Sequence, residues 1–153
     1  MTLAGICIQC RRPAELSAAE KSMIVDSVNS MLSNYYDDIA KDGLLAEFNY
    51  LDSSDQFFWV PPGFDSAISY DSVASILRMN APKLKSVNNV LKTSKVFPLN
   101  HDLANYTITL RSVVTDTTGN VSDFKLIESG IVIKRKNGWK LLSGQTSVVE
   151  KSQ

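Results

Sequence analysis

The clearest alternation of apolar and polar positions lies in the segment 124–153. Apolar, β-branched runs flank Lys136-Asn137-Gly138. Asn-Gly between such runs predicts a β-hairpin, because both residues tolerate positive φ. In the second strand of this hairpin, alternate residues share one face. That face changes from apolar to polar along the strand, which is typical of a strand that lines a pocket; it carries Trp139, Leu141, Ser143, Gln145 and Ser147.

The first half of the chain has helical periodicity. Ser17 and Glu20 form the S-x-x-E capping box that begins many helices. Apolar residues then recur at three- and four-residue steps, which predicts a helix to about Ala40; they are Ile24, Val28, Met31, Leu32, Tyr35 and Ile39. Residues 44–51 predict a second, short helix, with a strand as the alternative. A further helix begins at a cap on Ser69 or Asp71 and ends near Pro82.

The remaining elements are predicted to be strands. The aromatic run 56–60 favours a short strand. Longer strands follow over 86–96 and 103–115, and in the second of these Tyr106 and Ile108 alternate with Thr107 and Thr109. Helices collected before antiparallel strands indicate an α+β domain. We expect N-terminal helices packed on a strongly curved, mostly antiparallel sheet, forming a cone with an internal cavity.

Length and charge favour one balanced domain. The chain has 153 residues, which predicts a single domain over 17–150 after a separate N-terminal segment, 1–16. Lys plus Arg and Asp plus Glu both number 16, so the formal net charge is zero. This balance does not indicate a nucleic-acid partner. No segment is long and apolar enough to predict a transmembrane helix.

Cys7 and Cys10 form a C-x-x-C spacing near the N-terminus. There is no second cysteine pair, and His101 is the only histidine, so neither a metal site nor a cofactor is predicted. Residues 1–10 are similar to the end of a secretion or lipoprotein signal, although they are equally compatible with an ordinary N-terminal segment. The localisation therefore stays open between cytoplasmic and exported. Whether the two cysteines are processed, paired or free also stays open.

Three segments carry a resemblance to a known family. They are the strand and turn 57–63, the strand and turn 128–139, and the final strand 138–147. Together they resemble the nuclear transport factor 2-like superfamily, also called the SnoaL-like or cystatin-like α+β cone. The association domain of calcium/calmodulin-dependent kinase II carries an aromatic residue, two histidines and a serine on the last strand. Trp139 and Ser147 match this pattern, whereas Ser143 and Gln145 stand where the histidines would be.

The resemblance implies a fold more than a function. The superfamily includes ketosteroid isomerases, polyketide cyclases, dehydratases and non-catalytic oligomerisation modules, so the fold does not select an activity. It also implies a homodimer formed through the sheet. Thr107, Thr109 and Arg111 would lie on that face together with the exposed side of the last hairpin.

Candidate catalytic groups are few. An isomerase of this fold needs a base in an apolar cavity and donors for the developing oxyanion. The candidate bases are Asp38, Asp55 and His101, and the candidate donors are Tyr35, Tyr36, Tyr70 and Tyr106. Each base has an ordinary structural alternative: a solvated helix face, a turn cap and a loop. Glu128 lies on a predicted central strand and is expected to face solvent, the cavity or a partner such as Arg111.

A ligand pocket is predicted from aromatic and polar residues. Aromatic residues are also ordinary core residues, so this prediction depends on the cone fold. The predicted lining residues are Tyr35, Phe48, Trp59, Tyr106, Trp139, Ser143 and Gln145. The sequence favours non-catalytic binding of a small hydrophobic ligand, or a homodimeric accessory module. The alternative is an isomerase, cyclase or dehydratase that acts on a hydrophobic carbonyl compound.

Overall fold

The computed structural model describes residues 15–151, with side chains to residue 149. The predictions about Cys7, Cys10 and a signal segment lie outside these residues. Helix α1 spans Ala18–Asp42, a 3-10 helix spans Leu44–Asn49, and helix α2 spans Tyr70–Asn80. The strands are β1 (Phe58–Val60), β2 (Leu84–Pro98), β3 (Leu103–Asp116), β4 (Val121–Arg135) and β5 (Gly138–Lys151). A second 3-10 helix, Ala81–Lys83, joins α2 to β2.

The predicted helix starts are confirmed at atomic detail. The Ser17 side chain accepts a hydrogen bond from the Glu20 amide, and the Glu20 carboxylate accepts one from the Ser17 amide at 2.8 Å. These bonds satisfy donors that a helix N-terminus otherwise leaves free. Ser69, and not Asp71, caps α2. Residues 44–51 are helical over Leu44–Asn49, so the strand alternative for this segment is wrong.

The strands form one five-stranded sheet, in which their order is β1-β5-β4-β3-β2. The β1–β5 pair is parallel and the three longer pairs are antiparallel. The helices pack on one face of this sheet, and the predicted α+β cone is confirmed. The core between them includes Val28, Leu32, Ile108 and Leu141, each almost completely buried.

The final hairpin is confirmed, but its turn differs in detail from the prediction. Arg135 pairs with Gly138, so Lys136 and Asn137 form the two-residue turn. Gly138 has φ 106, whereas no residue other than glycine has positive φ among those described. Glycine alone therefore supplies the left-handed backbone that brings β5 back along β4.

Candidate active site

A cavity of about 270 Å³ lies between the helices and the inner face of the sheet. Its polar lining residues are Glu47, Asn89, Ser112, Glu128 and Thr146. Aromatic and aliphatic residues form most of the remaining wall: Tyr35, Tyr36, Leu44, Leu51, Phe57, Trp59, Val73, Ile76, Leu77, Val87, Leu110, Leu126 and Leu141. The space is therefore mainly apolar, with two carboxylates in its wall.

Glu128 is a buried carboxylate held by hydroxyl groups. It lies on β4 and is only 5% exposed. Tyr106 donates to its Oε1 at 2.7 Å, Tyr36 donates to the same atom at 3.3 Å, and Thr146 donates to Oε2 at 3.1 Å. Burial raises the pKa of Glu128, while these three hydrogen bonds oppose the shift. The carboxylate is thus oriented by neutral donors instead of a cation.

Thr146 connects Glu128 to the indole of Trp59. The Trp59 Nε1 donates to Thr146 Oγ1 at 3.1 Å, and the same hydroxyl donates onward to Glu128. The indole also lies against Gly144, where an added Cβ would stand 2.8 Å from a ring carbon. Gly144 therefore provides the space that lets Trp59 reach Thr146.

A β-bulge in β5 decides which residues face the cavity. Ile131 pairs with Ser143, but Val132 pairs with Leu141, so Leu142 is an extra residue in β5. An extra residue reverses the alternation beyond it. Past the bulge, Thr146 lies opposite the inward-facing Glu128.

The bulge corrects the predicted face of Gln145. Trp139 and Leu141 share the inner face of β5, as expected, but Gln145 lies on the outer face and is exposed. Strict alternation put Gln145 on the inner face because the sequence gives no sign of the extra residue.

The 3-10 helix supplies the second carboxylate, Glu47. This half-buried residue lines the cavity beside Tyr35. Burial raises the pKa of Glu47 to about 8, a hydrogen bond with Tyr35 acts in the opposite direction, and the charge of Glu128 raises the pKa further. A carboxyl group with such a pKa exchanges its proton near neutral pH, as acid–base catalysis requires.

The tyrosines around the carboxylates remain protonated. Burial is the main cause that raises the pKa values of Tyr35, Tyr36 and Tyr106 well above the usual tyrosine value, and the charge of Glu128 contributes to each shift. Each phenol is therefore a hydrogen-bond donor across the physiological pH range.

The structure brings together only some of the predicted pocket residues. Tyr35 and Trp59 line the cavity, while Tyr106 is fully buried behind it and binds Glu128. Phe48 and Trp139 line a separate, larger groove between α1 and the hairpin end. Ser143 is buried opposite Phe58 of β1, and it does not line the cavity.

None of the three predicted bases lines the cavity. Asp38 accepts a hydrogen bond from Tyr50, and burial, together with this bond, raises the pKa of Tyr50 to about 12. Asp55 is exposed in the turn before β1. His101 is exposed in a loop, with its Nε2 3.9 Å from Glu20 Oε1. In the turn before β1 the capping carboxylate is that of Asp52, which accepts from the Ser54 amide at 3.1 Å.

The expected partner of Glu128 is also corrected. Arg111 is exposed on the outer face of the sheet and pairs there with Asp123. Because residues 128 and 111 project from opposite faces, no ion pair forms between them. A different ion pair joins the hairpin to the core, where Arg135 contacts both carboxylate oxygens of Asp52, with Nε 2.6 Å from Oδ2.

Sequence reasoning missed Glu47 and Thr146 as site residues. A signal existed for Glu47, which lies three residues after Leu44 and four before Leu51, a spacing that puts all three residues on one side of a helix. Thr146 had none, because its orientation depends on the bulge. Tyr36, one of the candidate donors, does line the cavity and donates to Glu128.

Within residues 15–151, no group of three or more His, Cys, Asp or Glu residues could hold a metal ion. No helix in that part of the chain is long and apolar enough to cross a membrane.

Comparison with solved structures identifies the class of fold. One similar structure is provisionally named a scytalone dehydratase, from Novosphingobium aromaticivorans; the TM-score is 0.76 at 8% identity, over 89% of this chain and 91% of that one. The LinA-type3 hexachlorocyclohexane dehydrochlorinase of Novosphingobium barchaimii has a TM-score of 0.70 at 7% identity, over 89% and 93% of the two chains. A nuclear transport factor 2-like superfamily protein from Salmonella enterica has a TM-score of 0.71 at 12% identity, over 86% and 95%.

These similarities define an α+β cone. More narrowly, the chain has the nuclear transport factor 2-like fold, as its sequence resemblance implied. No protein-family model and no curated protein matches the chain. At such low identities the similarity establishes the fold alone, so function must be argued from the site.

Proposed function

We propose that the cavity binds a small, largely apolar molecule that presents one hydrogen-bonding group to the carboxylates. The observation that carries this proposal is Glu128, buried in the cavity wall and held by three hydroxyl groups. Burying a carboxylate is costly, and its hydroxyl partners only partly offset that cost. Binding of a polar group of a ligand would give this buried carboxylate a function.

Fluorescence of Trp59 provides a direct test of binding. Trp59 lines the cavity, whereas Trp139 lies in the separate groove, so Trp139→Phe leaves a single reporter in place. In this background, titration with small cyclic ketones is expected to change the emission saturably. Ser112→Phe fills the cavity and should remove the response, while Ser147→Phe on the exposed strand surface should not. A response that persists with Ser112→Phe would show that the ketone binds elsewhere.

A second candidate function is proton transfer on a hydrophobic carbonyl compound, in an isomerase, cyclase or dehydratase. The observation that favours it is Glu47, whose pKa of about 8 suits a group that accepts and returns a proton. Ionised Glu47 would remove a proton next to the carbonyl group, and a neighbouring phenol would donate to the resulting enolate oxygen. Two similar structures are named as a dehydratase and a dehydrochlorinase, and both names denote enzymes of elimination reactions.

The pH profile of turnover tests this second candidate. Because ionised Glu47 is the proposed base, kcat/KM should rise with pH and level off above about pH 8. Glu47→Gln should lower the rate by about 10²–10⁴-fold, the usual contribution of a positioned base. Asp55→Asn, which neutralises an exposed carboxylate outside the cavity, is the matched control. Saturable ketone binding without turnover at any pH would leave binding as the function.

The outer face of the sheet is the proposed surface for a homodimer. Thr107 donates to or accepts from Ser129 at 2.9 Å, and Thr109 forms a similar bond with Thr93 at 2.7 Å. Ile127 is exposed on the same face, directly opposite Thr109 in the β3–β4 register. A surface that mixes short hydroxyl side chains with an exposed isoleucine suits contact with a second copy.

A further inference from the structure

The charges of the cavity are all of one sign. Among the described residues that line it, Glu47 and Glu128 are the ionisable acids, and there is no lysine, arginine or histidine. The titratable side chains that interact with these two acids are Tyr35 and Tyr36 of α1 and Tyr106 of β3, and all three are protonated phenols. An anionic ligand would therefore enter a cavity whose ionisable groups are acids and which offers no balancing cation.

The aromatic walls are suited to a positive charge. Phe57 and Trp59 are stacked with ring centroids 6.4 Å apart, and the Tyr35 and Tyr36 rings lie 4.6 Å apart. All four rings line the cavity. The faces of aromatic rings carry negative potential and attract cations, most strongly where water is excluded.

We propose that the preferred ligand of this cavity is a hydrophobic amine bound as its ammonium ion, with the charge at the carboxylates and the apolar part between the aromatic walls. This inference rests on the proposed binding function and names the chemical class of the ligand. The ammonium supplies the positive charge that the cavity lacks, and its three N–H groups match the carboxylate and phenol oxygens. The cavity volume of about 270 Å³ limits the apolar part to a small ring system or short chain.

Binding has a proton balance that can be measured. At pH 7 Glu47 is mostly protonated, because its pKa is about 8, whereas a primary alkylamine is protonated, like a lysine side chain. When the ammonium binds, its positive charge favours ionised Glu47, so the carboxyl proton leaves to solvent. The complex therefore forms with release of up to one proton at pH 7, and with little release at pH 9, where Glu47 is already ionised.

A matched ligand series tests the inference. The probes are 1-naphthylmethylamine, 1-naphthalenemethanol and 1-naphthoate, which share one ring system and differ in charge. Isothermal titration calorimetry at pH 7, in phosphate and in Tris, gives both the affinity and the protons released. The amine is expected to bind at least about tenfold more tightly than the alcohol, as one desolvated ionic contact allows, and the naphthoate is expected not to bind.

Substitutions in the cavity test which side chains cause the preference for the amine. Glu47→Gln removes one of the two ionisable acids with little change of shape, so the preference for the amine over the alcohol should decrease and the proton release should disappear. Asp55→Asn, outside the cavity, should change neither quantity. Glu128→Gln is a second variant in the cavity, and it should also reduce the preference for the amine. Thermal unfolding confirms that each variant is folded.

The outcomes separate the inference from the function on which it rests. If the alcohol binds as tightly as the amine, the ammonium preference is overturned but the apolar binding site stands. If 1-naphthoate binds most tightly, the inference is overturned by the wrong sign of charge. If none of the three binds, both the inference and the proposed function fail.

Discussion

At the scale of single residues, the buried carboxylate of Glu128 is the centre of a hydrogen-bond network in the core. It accepts from Tyr106, Tyr36 and Thr146, which come from β3, α1 and β5. Three separate elements are therefore tied to β4 through one side chain. Removing a donor from such a group costs more than the net value of an ordinary hydrogen bond, because the carboxylate stays in the protein interior.

Tyr106→Phe tests this arrangement. The substitution removes the 2.7 Å bond to Glu128 without changing the ring, and it should lower the free energy of unfolding by about 1–3 kcal/mol, as expected for a hydrogen bond to an ionisable group. Tyr70→Phe, which removes a hydroxyl from a partly buried ring outside this network, is the control. Urea unfolding at pH 7 measures both. Equal stability of the two variants would contradict the role given to Glu128.

Glu47 predicts a dependence of stability on pH. The pKa of its carboxyl is about 8 in the folded protein, against 4.5 for an unperturbed glutamate. Between these values the folded state binds more protons than the unfolded state, so stability falls as pH rises from about 4.5 to about 8. Glu47→Gln should flatten this part of the profile and raise the melting temperature at pH 8.5, with a smaller effect at pH 5. Thermal unfolding of both proteins across this range is the measurement, and parallel profiles would show that Glu47 titrates normally.

Sequence reasoning succeeded at residues whose environment is local and failed where the environment is tertiary. The Ser17 cap depends on a residue three positions away, and it was predicted correctly. The orientation of Thr146 depends on a bulge formed by pairing with β4, and Glu47 gains its environment from α1 and β4. The spacing of residues along the chain does not predict these tertiary contacts, so Gln145 and Asp38 were preferred as site residues.

At the scale of elements, β5 determines the geometry of the cavity wall. It pairs with β4 on one edge and with β1 on the other, and its bulge turns Thr146 inward. Where β1 pairs with this strand, the Trp59 ring lies so close to Gly144 that a side chain there would meet it. Apolar and polar alternation, aromatic content and turn residues predicted that each of these strands exists, but the register between them is a property of the assembled sheet.

Gly144→Ala tests the close approach of β1 to β5. An added Cβ would lie 2.5 Å from the Ser129 carbonyl oxygen and 2.8 Å from the Trp59 ring, so the backbone and the indole must shift. Overpacking of this kind costs about 1–3 kcal/mol, and the Trp59 emission should change with the loss of its bond to Thr146. Ser147→Ala on the exposed face of the same strand is the control. A variant with normal stability and unchanged emission would contradict the tight contact.

At the scale of the whole molecule, the fold separates two surfaces of one sheet. The inner face carries the cavity, and the outer face carries the hydroxyl pairs and Ile127 that we propose as a dimer contact. The order of helices and strands, with the alternation in β3, predicted this layered arrangement correctly. A chain whose oligomer forms on the outer face leaves its cavity free for ligand.

Thr109→Arg tests the proposed dimer. It places a long charged side chain at the centre of the outer face, where two copies would have to bury it without a partner. Analytical ultracentrifugation should show a dimer for the unchanged protein and a monomer for the variant. Met79→Arg, on the exposed side of α2, is the control and should stay dimeric. Dimers that persist with Thr109→Arg would show that another surface forms the contact.

The extra residue in β5 also has an evolutionary consequence. The pairing of β5 already accommodates one extra residue, Leu142, and insertion of a further residue directly after Ser143 would shift the following register by one and bring Gln145 to the position that Thr146 now occupies opposite Glu128. One inserted codon would thus exchange a hydroxyl for an amide in the cavity wall while leaving the helices untouched. Relatives whose β5 strands differ in length by one residue can therefore present different chemistry to a ligand, although their amino-acid sequences are almost the same. Gene libraries that vary strand length would explore this difference more directly than point substitutions would.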